Sequence, residues 1–238
     1  MVGTIINIVA IIFGGLLGLL LGSRLPERIK QTVVSGIGLF TMVLGVKMFL
    51  DSHNVLVVLG SILIGGILGE WLQIEMRLAY FGVWLESKVL RKASYNPPGE
   101  NNFVKGFMTS SLLFVIGPVA ILGSIQDGLS GDYSLLAVKS ILDGVAAIAF
   151  ASTLGVGVIF SIIPIFLYQG GITLLASQVQ GLISMAIMNE ISAVGGIILL
   201  GIGISTILEI KQIRTGNFLP ALIIVPALVL LFTQLGLY

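Results

Sequence analysis

The sequence predicts an all-α integral membrane protein, a polytopic helix bundle of about eight transmembrane spans. Of its 238 residues, 56% are hydrophobic and 10% are charged, whereas a soluble domain usually carries about 25% charged residues. The mean hydropathy is +1.11. Because so few charges cannot cover the surface of a water-soluble domain of this size, a soluble globular fold is excluded.

The individual spans follow from the lengths of the apolar runs. A helix needs about 20 mostly apolar residues to cross about 30 Å of hydrocarbon. Eight such runs are present, at 3–22, 31–50, 54–72, 104–123, 134–153, 156–176, 188–208 and 217–236. The long stretch 134–176 is interrupted only at Gly155 and Gly157. If part of it is re-entrant, the alternative is a bundle of seven spans.

The distribution of basic residues agrees with eight spans. Three loops on one side of this arrangement carry 10 of the 12 lysines and arginines, and only Lys47 and Lys139 lie toward the other side. By the positive-inside rule these loops are cytoplasmic, and both termini lie outside. The ten residues are Arg24, Arg28, Lys30, Arg77, Lys88, Arg91, Lys92, Lys105, Lys211 and Arg214.

Residues 73–102 form the longest loop within what is otherwise a single integral membrane domain, 1–238. Its first part has apolar residues at helical spacing, and aromatic residues suited to the headgroup level lie in or just before it. We therefore predict an amphipathic helix along the cytoplasmic interface, followed by an exposed turn at 93–102. The apolar residues are Ile74, Leu78, Phe81 and Leu85, and the aromatic ones are Trp71, Tyr80 and Trp84.

Composition and motifs exclude several functional classes. Cysteine is absent and His53 is the one histidine, so no metal site or cofactor is expected. A formal charge of +1 without a long basic run argues against nucleic acid as a partner. No P-loop or hydrolase motif is present. Asp127 and Asp143 could nominally form an aspartyl protease dyad, but Lys139 would oppose the shared proton, so we expect no enzyme.

Glycine is abundant, at 31 residues, and recurs in a shared pattern. The first, third and seventh spans contain related clusters and run in the same direction, which suggests parallel repeats as in many transporters. Small residues let membrane helices approach closely, so we predict tight packing within the bundle. Homo-oligomerisation through one of these faces is the alternative. The clusters are Gly14, Gly15 and Gly18, then Gly65, Gly66 and Gly69, then Gly195 and Gly196.

Charged residues within a span point to function, because an aspartate at the centre of a membrane helix costs about 2.5–3.5 kcal/mol on insertion scales. Asp143 lies at the middle of the fifth span, and Lys139 precedes it by one turn on the same helix face. Asp127 lies just beyond the outer end of the fourth span and could approach Lys139. Glu190 and Glu70 are expected near the outer and inner interfaces, where water can solvate them.

The two aspartates lie in related segments, Gly-Ser-Ile-Gln-Asp-Gly at 123–128 and Lys-Ser-Ile-Leu-Asp-Gly at 139–144. An Asp-Gly pair in an apolar context favours an interrupted helix, as does Gly117-Pro118 in the fourth span. Paired interruptions indicate a transporter binding site. A structural ion pair that fixes helix register is the alternative. The predicted solute or ion site comprises Asp143, Lys139, Asp127, Gln126, Gln169 and Ser140.

These motifs, with Tyr-Gln-Gly-Gly at 168–171, Gly-Thr-Ile-Ile-Asn at 3–7 and Ile-Gly-Gly-Ile-Leu-Gly-Glu at 64–70, also carry a resemblance. Together they are similar to the YqgA/YdfK-like bacterial inner-membrane proteins, a family of unknown function, over nearly the whole chain. The resemblance implies a bacterial cytoplasmic membrane and a multi-helix bundle. It implies no catalytic or binding residues.

The polar residues and repeats therefore predict a secondary transporter or channel for a small solute or ion, with Asp143 as a midplane carboxylate. The alternative is a non-transporting scaffold or assembly partner in the membrane, which would use its glycine-rich faces and interfacial helix to contact other proteins. The lipid bilayer is the expected environment in both cases.

Overall fold

The computed structural model of the protein describes residues 1–89, 102–181 and 183–238. Within these ranges the chain is helical and contains no β-strand, which confirms the all-α prediction. Three short segments with 3₁₀ or π geometry, Val156–Ser161, Gly203–Ile207 and Thr215–Phe218, adjoin the helices. The α-helices of the described ranges are α1 (Val2–Gly22), α2 (Glu27–Leu50), α3 (Val55–Leu72), α4 (Ile74–Val89), α5 (Asn102–Val115), α6 (Pro118–Leu129), α7 (Ser134–Leu154), α8 (Ile162–Leu174), α9 (Ala176–Gln180), α10 (Met185–Ile202) and α11 (Leu219–Gln234).

The number of spans agrees with the prediction. Among the described residues, seven helical segments are long and apolar enough to cross a bilayer. α5 and α6 make an eighth candidate if they are counted as one span, although the pair bends by 65°. A polytopic bundle of about eight spans is therefore confirmed. The seven segments are α1, α2, α3, α7, Val156–Leu174, Met185–Ser205 and Thr215–Gln234.

The irregular span is the fourth, and not the stretch 134–176. The latter forms two separate helical segments that part at Gly155, so the expected alternative of a re-entrant segment there is wrong. The run 104–123 breaks between α5 and α6, at the predicted Gly117-Pro118 interruption. The interruptions expected at the two Asp-Gly pairs are wrong, because α6 continues through Asp127-Gly128 and α7 through Asp143-Gly144. Gly117 in the break has a φ of 139°, which favours glycine, and Pro118 has no backbone N–H with which to continue α5.

The helix predicted after the third span is present as α4. It buries Leu85 in an apolar cluster with Phe103, Val104 and Phe107, while the aromatic residues Trp71, Tyr80 and Trp84 are exposed. Its location along the cytoplasmic interface stays a prediction. The turn predicted at 93–102 lies outside the described residues except for Asn102, which begins α5.

The chain forms two compact units. The first unit comprises Met1–Ile37, Leu78–Val115 and Val119–Val179, and the second comprises Gly38–Arg77, Ile116–Pro118 and Gln180–Tyr238. The first unit contains α1, α5 and α7 with most of α6 and the whole of α8. The second contains α3, α10 and α11.

In the first unit, glycines bring α1 into backbone contact with α7. Gly14, Gly18 and Gly22 are buried and lie four residues apart, so they share one face of α1. A methyl group at any of them would overlap a carbonyl oxygen of α7, from Gly144, Ile148 and Ser152 in turn. The predicted role of this pattern in tight packing agrees with these contacts.

In the second unit, α3 uses the same glycine spacing toward a different neighbour. A methyl group at Gly65 would overlap the backbone of Ala221, and one at Gly69 would overlap the carbonyl of Asn217. On α10, a methyl group at Gly196 would overlap the carbonyl of Gly45 in α2. The glycine clusters thus pack within the chain, and homo-oligomerisation through such faces stays a prediction.

Substituting Gly14 by alanine is expected to destabilise the protein, because the new methyl group would meet the rigid backbone of Gly144. Overpacking of this kind typically costs about 1–3 kcal/mol. Gly36 in α2 is exposed and has no atom near an added methyl group, so Gly36→Ala should be neutral or stabilising by up to about 1 kcal/mol. Thermal unfolding of both variants in detergent measures the difference. Equal melting temperatures would contradict the close α1–α7 contact.

Candidate functional site

The candidate site is centred on Asp143 in the middle of α7. Asp143 is the tenth of the 21 residues of this helix, which is one of the membrane-span candidates. The residue is 8% exposed. The predicted depth of Asp143 within its span therefore agrees with the structure, and a buried carboxylate requires partners that compensate for its lost hydration.

Lys139 supplies the opposite charge. It precedes Asp143 by one helical turn, is 7% exposed, and its ammonium group pairs with Oδ2 of Asp143. The same ammonium donates a hydrogen bond of 2.8 Å to the backbone carbonyl of Phe114. The helical i,i+4 spacing that predicted this neighbourhood thus produces an ion pair, and the two formal charges cancel.

The carbonyl of Phe114 is available because of the break in the fourth span. In a continuous α-helix this carbonyl would accept a hydrogen bond from the backbone N–H of residue 118. Pro118 has no N–H, so the Phe114 carbonyl needs another donor. Lys139 provides it from α7. The ion pair and the helix break are therefore parts of one arrangement.

Two carboxamides complete the cluster. Nδ2 of Asn7 in α1 donates to Oδ2 of Asp143 at 3.0 Å and to Oε1 of Gln169 in α8 at 3.3 Å. Asn7 and Gln169 are both fully buried. Oδ1 of Asn7 and Nε2 of Gln169 are buried without a hydrogen-bond partner. Four elements of the first unit, α1, α5, α7 and α8, thus contribute polar atoms to one buried cluster.

Asp127 does not join this cluster, and the predicted approach to Lys139 is wrong. Oδ2 of Asp127 instead accepts hydrogen bonds from the amino group of Met1 at 2.8 Å and from the backbone N–H of Gly3 at 3.0 Å. The carboxylate thus lies at the N-terminal end of α1, where free N–H groups and the helix dipole favour an anion. Asp127 orients α1 rather than contacting Asp143.

Gln126 and Ser140 also contribute nothing to the cluster. Gln126 is exposed, because its position one residue before Asp127 places it on another face of α6. Ser140 is buried, but its hydroxyl donates to the carbonyl of Leu136 in its own helix at 2.6 Å. Of the six predicted residues, the structure therefore brings Asp143, Lys139 and Gln169 together.

The prediction missed Asn7 and the Phe114 carbonyl. Asn7 is one of two polar side chains in the apolar run of α1, the other being Thr4. A polar residue in such a run could have identified Asn7 as a candidate for the site. The signal for Phe114 was Pro118, because a proline always leaves the carbonyl four residues before it without its helical donor.

The second unit contains a different buried carboxylate, Glu190. Glu190 in α10 is fully buried, so the expectation that water solvates it is wrong. Oε1 accepts from the backbone N–H groups of His53 and Asn54 and from the hydroxyl of Tyr238 at 2.8, 2.9 and 3.0 Å, and Oε2 accepts from the hydroxyl of Ser52 at 2.7 Å. Burial, together with the hydrogen bond to Glu190 and its charge, raises the pKa of Tyr238 to about 12.

A third polar group joins the start of α4 to the segment before α11 in the second unit. The N–H of Glu75 donates to Oδ1 of Asn217 at 2.8 Å, and the N–H of Gly216 donates to a carboxylate oxygen of Glu75 at 2.8 Å. Burial raises the pKa of Glu75, and the Gly216 N–H and the charge of Arg214 oppose this shift. Glu70 is exposed, as expected, and pairs with Arg214.

Both carboxylates have partners within the protein, since Glu190 accepts from four donors and Glu75 accepts from the Gly216 N–H close to the charge of Arg214. Across the part of the chain that the structure describes, no three His, Asp or Glu side chains come together as a potential metal site. The cluster around Asp143 differs from both because it contains buried polar atoms without partners. It is therefore the strongest candidate for a functional site.

Comparison with known proteins agrees with the resemblance of the motifs. A family model described as "Protein of unknown function (DUF554)" matches residues 2–230. The chain is 34% identical over 241 residues to the uncharacterized membrane protein YdfK of Bacillus subtilis (strain 168), covering 100% of this chain and 99% of that protein. It is 32% identical over 223 residues to the uncharacterized protein YqgA of Escherichia coli (strain K12), covering 94% of each. No solved structure matches the chain.

Proposed function

The chain belongs to the family described as Protein of unknown function (DUF554), and we propose that this membrane protein is a secondary transporter or channel for a small solute or ion. The cluster around Asp143 would form its binding site. We place the protein in the bacterial cytoplasmic membrane with both termini outside, on the basis of its family and of the positive-inside rule.

One observation carries the proposal: a charged pair lies at mid-span beside an interrupted helix. Asp143 and Lys139 are buried in the middle of α7, and Lys139 binds the carbonyl that the break before α6 leaves free. Charged groups at this depth are costly and generally functional. Non-helical backbone within a membrane is tolerated where it is buried in protein or lines a cavity, and transporters use it to build their binding sites.

The geometry also supports a link between site occupancy and helix conformation. A bound ligand that shifts the Lys139 ammonium would weaken its hydrogen bond to the Phe114 carbonyl. The bend between α5 and α6 would then lose one of its restraints. Because such coupling is reciprocal, a change in this bend would alter the affinity of the site. A transporter requires at least this coupling between ligand binding and helix conformation.

Replacing Asp143 by asparagine is expected to reduce solute or ion flux by at least about tenfold, because asparagine cannot neutralise Lys139 or supply a carboxylate. The measurement is the flux of a panel of monovalent ions and small polar solutes into vesicles that contain the purified protein. Asp132→Asn is the matched control, because Asp132 is exposed and its Oδ1 accepts from the backbone N–H of Ser134, which the amide oxygen of asparagine can also do.

Two results would overturn the proposal. One is wild-type flux that never exceeds that of protein-free vesicles for any member of the panel. The other is an Asp143→Asn variant that folds and retains every flux of the wild type. Loss of flux in both Asp143→Asn and Asp132→Asn would also count against a specific role of Asp143.

A further inference from the structure

We propose that the ligand of the Asp143 cluster is a small uncharged molecule that carries a hydrogen-bond donor and an acceptor side by side, as a primary amide does. It would bind between Oδ1 of Asn7 and Nε2 of Gln169. This inference rests on the proposed function of the same site and narrows it to one class of substrate.

Both charged side chains of the site already have partners within the protein. The ammonium of Lys139 is bound by a carboxylate and by a backbone carbonyl released from a broken helix. Oxygen ligands of these two kinds also bind small cations in proteins. Lys139 therefore occupies the position that a free cation would take, and Asp143 is neutralised by it. An additional ion of either sign would bring an uncompensated charge into a buried site, which is strongly unfavourable.

The polar atoms of the cluster without a partner in the protein are one acceptor and one donor. Oδ1 of Asn7 can accept two hydrogen bonds and Nε2 of Gln169 can donate two, yet both atoms are buried without a partner. The two carboxamides are joined through their other atoms, Nδ2 of Asn7 and Oε1 of Gln169, at 3.3 Å. Because the nitrogen and oxygen of a carboxamide share one carbon, the free atom of each is two bonds from an atom of this contact. An amide ligand would donate its N–H to Asn7 and accept from Gln169.

Buried hydroxyls without a partner are weaker evidence for a bound ligand than buried carboxamides are. A serine or threonine hydroxyl in a helix can rotate toward a carbonyl of the preceding turn, whereas a carboxamide cannot satisfy both of its ends in this way. The carboxamide atoms of Asn7 and Gln169 have no partner within the protein, and a ligand of matching chemistry would satisfy them. The buried hydroxyls in question are those of Thr4, Ser61, Thr109, Ser110 and Ser124.

The test uses three molecules of nearly the same shape: acetamide, acetate and acetamidinium, which are neutral, negative and positive. Binding to the purified wild-type protein is measured from the rise in its unfolding temperature with ligand concentration, at constant ionic strength. We expect acetamide to reach half of its effect at a concentration at least tenfold lower than that of either ion. Equal or tighter binding of acetate or acetamidinium, or no effect of acetamide, would overturn the inference.

A charge-switching variant sharpens the test. Gln169→Glu replaces the free donor by a carboxylate oxygen, so the preference should change from acetamide to acetamidinium, which offers donors on both sides. Gln126→Glu is the matched control, because Gln126 is exposed on α6, and it should keep the wild-type preference. If Gln169→Glu does not fold, Gln169→Met should abolish the preference for acetamide, and its retention would contradict the inference.

Binding and flux separate the two proposals. Specific binding of acetamide without flux of any solute would contradict the transport function and leave the ligand class standing. Flux of an ion that depends on Asp143, without binding of acetamide, would contradict the ligand class and leave the transport function standing.

Discussion

Replacing Asp143 by alanine is expected to lower the free energy of unfolding by about 3–5 kcal/mol, because Lys139 then keeps a buried charge without its counter-ion. The Phe114 carbonyl and the Asn7 carboxamide would also lose part of the arrangement that orients them. This is among the largest effects that a single substitution can have in the first unit. Thermal or denaturant-induced unfolding in detergent measures it.

The double variant Asp143→Leu with Lys139→Met is expected to recover part of this loss, although the Phe114 carbonyl still lacks its donor. Replacing a buried ion pair by apolar residues of similar volume is often neutral or stabilising, because neither charge has to be desolvated. The matched control is Glu27→Ala, which breaks the pair between the exposed Glu27 and Lys30. An exposed pair contributes only about 0–1 kcal/mol, so this control should unfold almost like the wild type.

The same double variant distinguishes a structural from a functional ion pair. If the pair serves only to fix helix register, the stable double variant should retain the flux of the wild type. If the pair forms part of a binding site, the double variant should be stable and inactive. Failure of the double variant to recover stability would contradict the view that the uncompensated charge of Lys139 causes the damage.

Glu190→Leu is expected to destabilise the second unit by about 3 kcal/mol or more, because four donors lose their acceptor at once. The donors are the Ser52 hydroxyl, the backbone N–H groups of His53 and Asn54, and the Tyr238 hydroxyl. A buried donor left without a partner costs about 1–3 kcal/mol. The total stays below the sum of the four values, since the loop at His53 is exposed and water can reach part of it.

Glu190→Gln is the matched control for this prediction. Its side chain keeps one carbonyl oxygen in place of Oε1, which accepts three of the four hydrogen bonds. It should therefore retain most of the stability, and the two variants should differ clearly in melting temperature. Equal melting temperatures would show that the hydrogen bonds to Glu190 do not hold the α2–α3 loop.

Much of the fold could be predicted because the forces that select membrane helices act along the chain. An apolar run of sufficient length satisfies its own backbone hydrogen bonds within one helix, so each span is a local property. The break in the fourth span is local as well, since Gly117 and Pro118 are adjacent to it. An interruption was expected there, but its 65° bend was not, because proline alone does not determine whether a helix kinks or stops.

Only part of the candidate site could be predicted, because sequence spacing identifies neighbours on one helix but not contacts between helices. Lys139 and Asp143 lie on one helix, and the period of the α-helix places them side by side in any environment. Gln126 was expected in the site on the strength of a repeated motif, although the helical period turns it away from Asp127. A similarity between two segments carries no information about which face of each helix is buried.

By itself the sequence determined the all-α class, the number of spans within one and the pairing of Lys139 with Asp143, since each depends on residues a few positions apart. Only the tertiary structure shows that Asn7 contacts Gln169, 162 positions away along the chain, and Asp143, 136 positions away. It also decided that Glu190 is buried among four donors and that Asp127 contacts the start of α1. These contacts depend on which helix faces pack together, and that choice is made by packing and hydrogen bonding summed over the bundle.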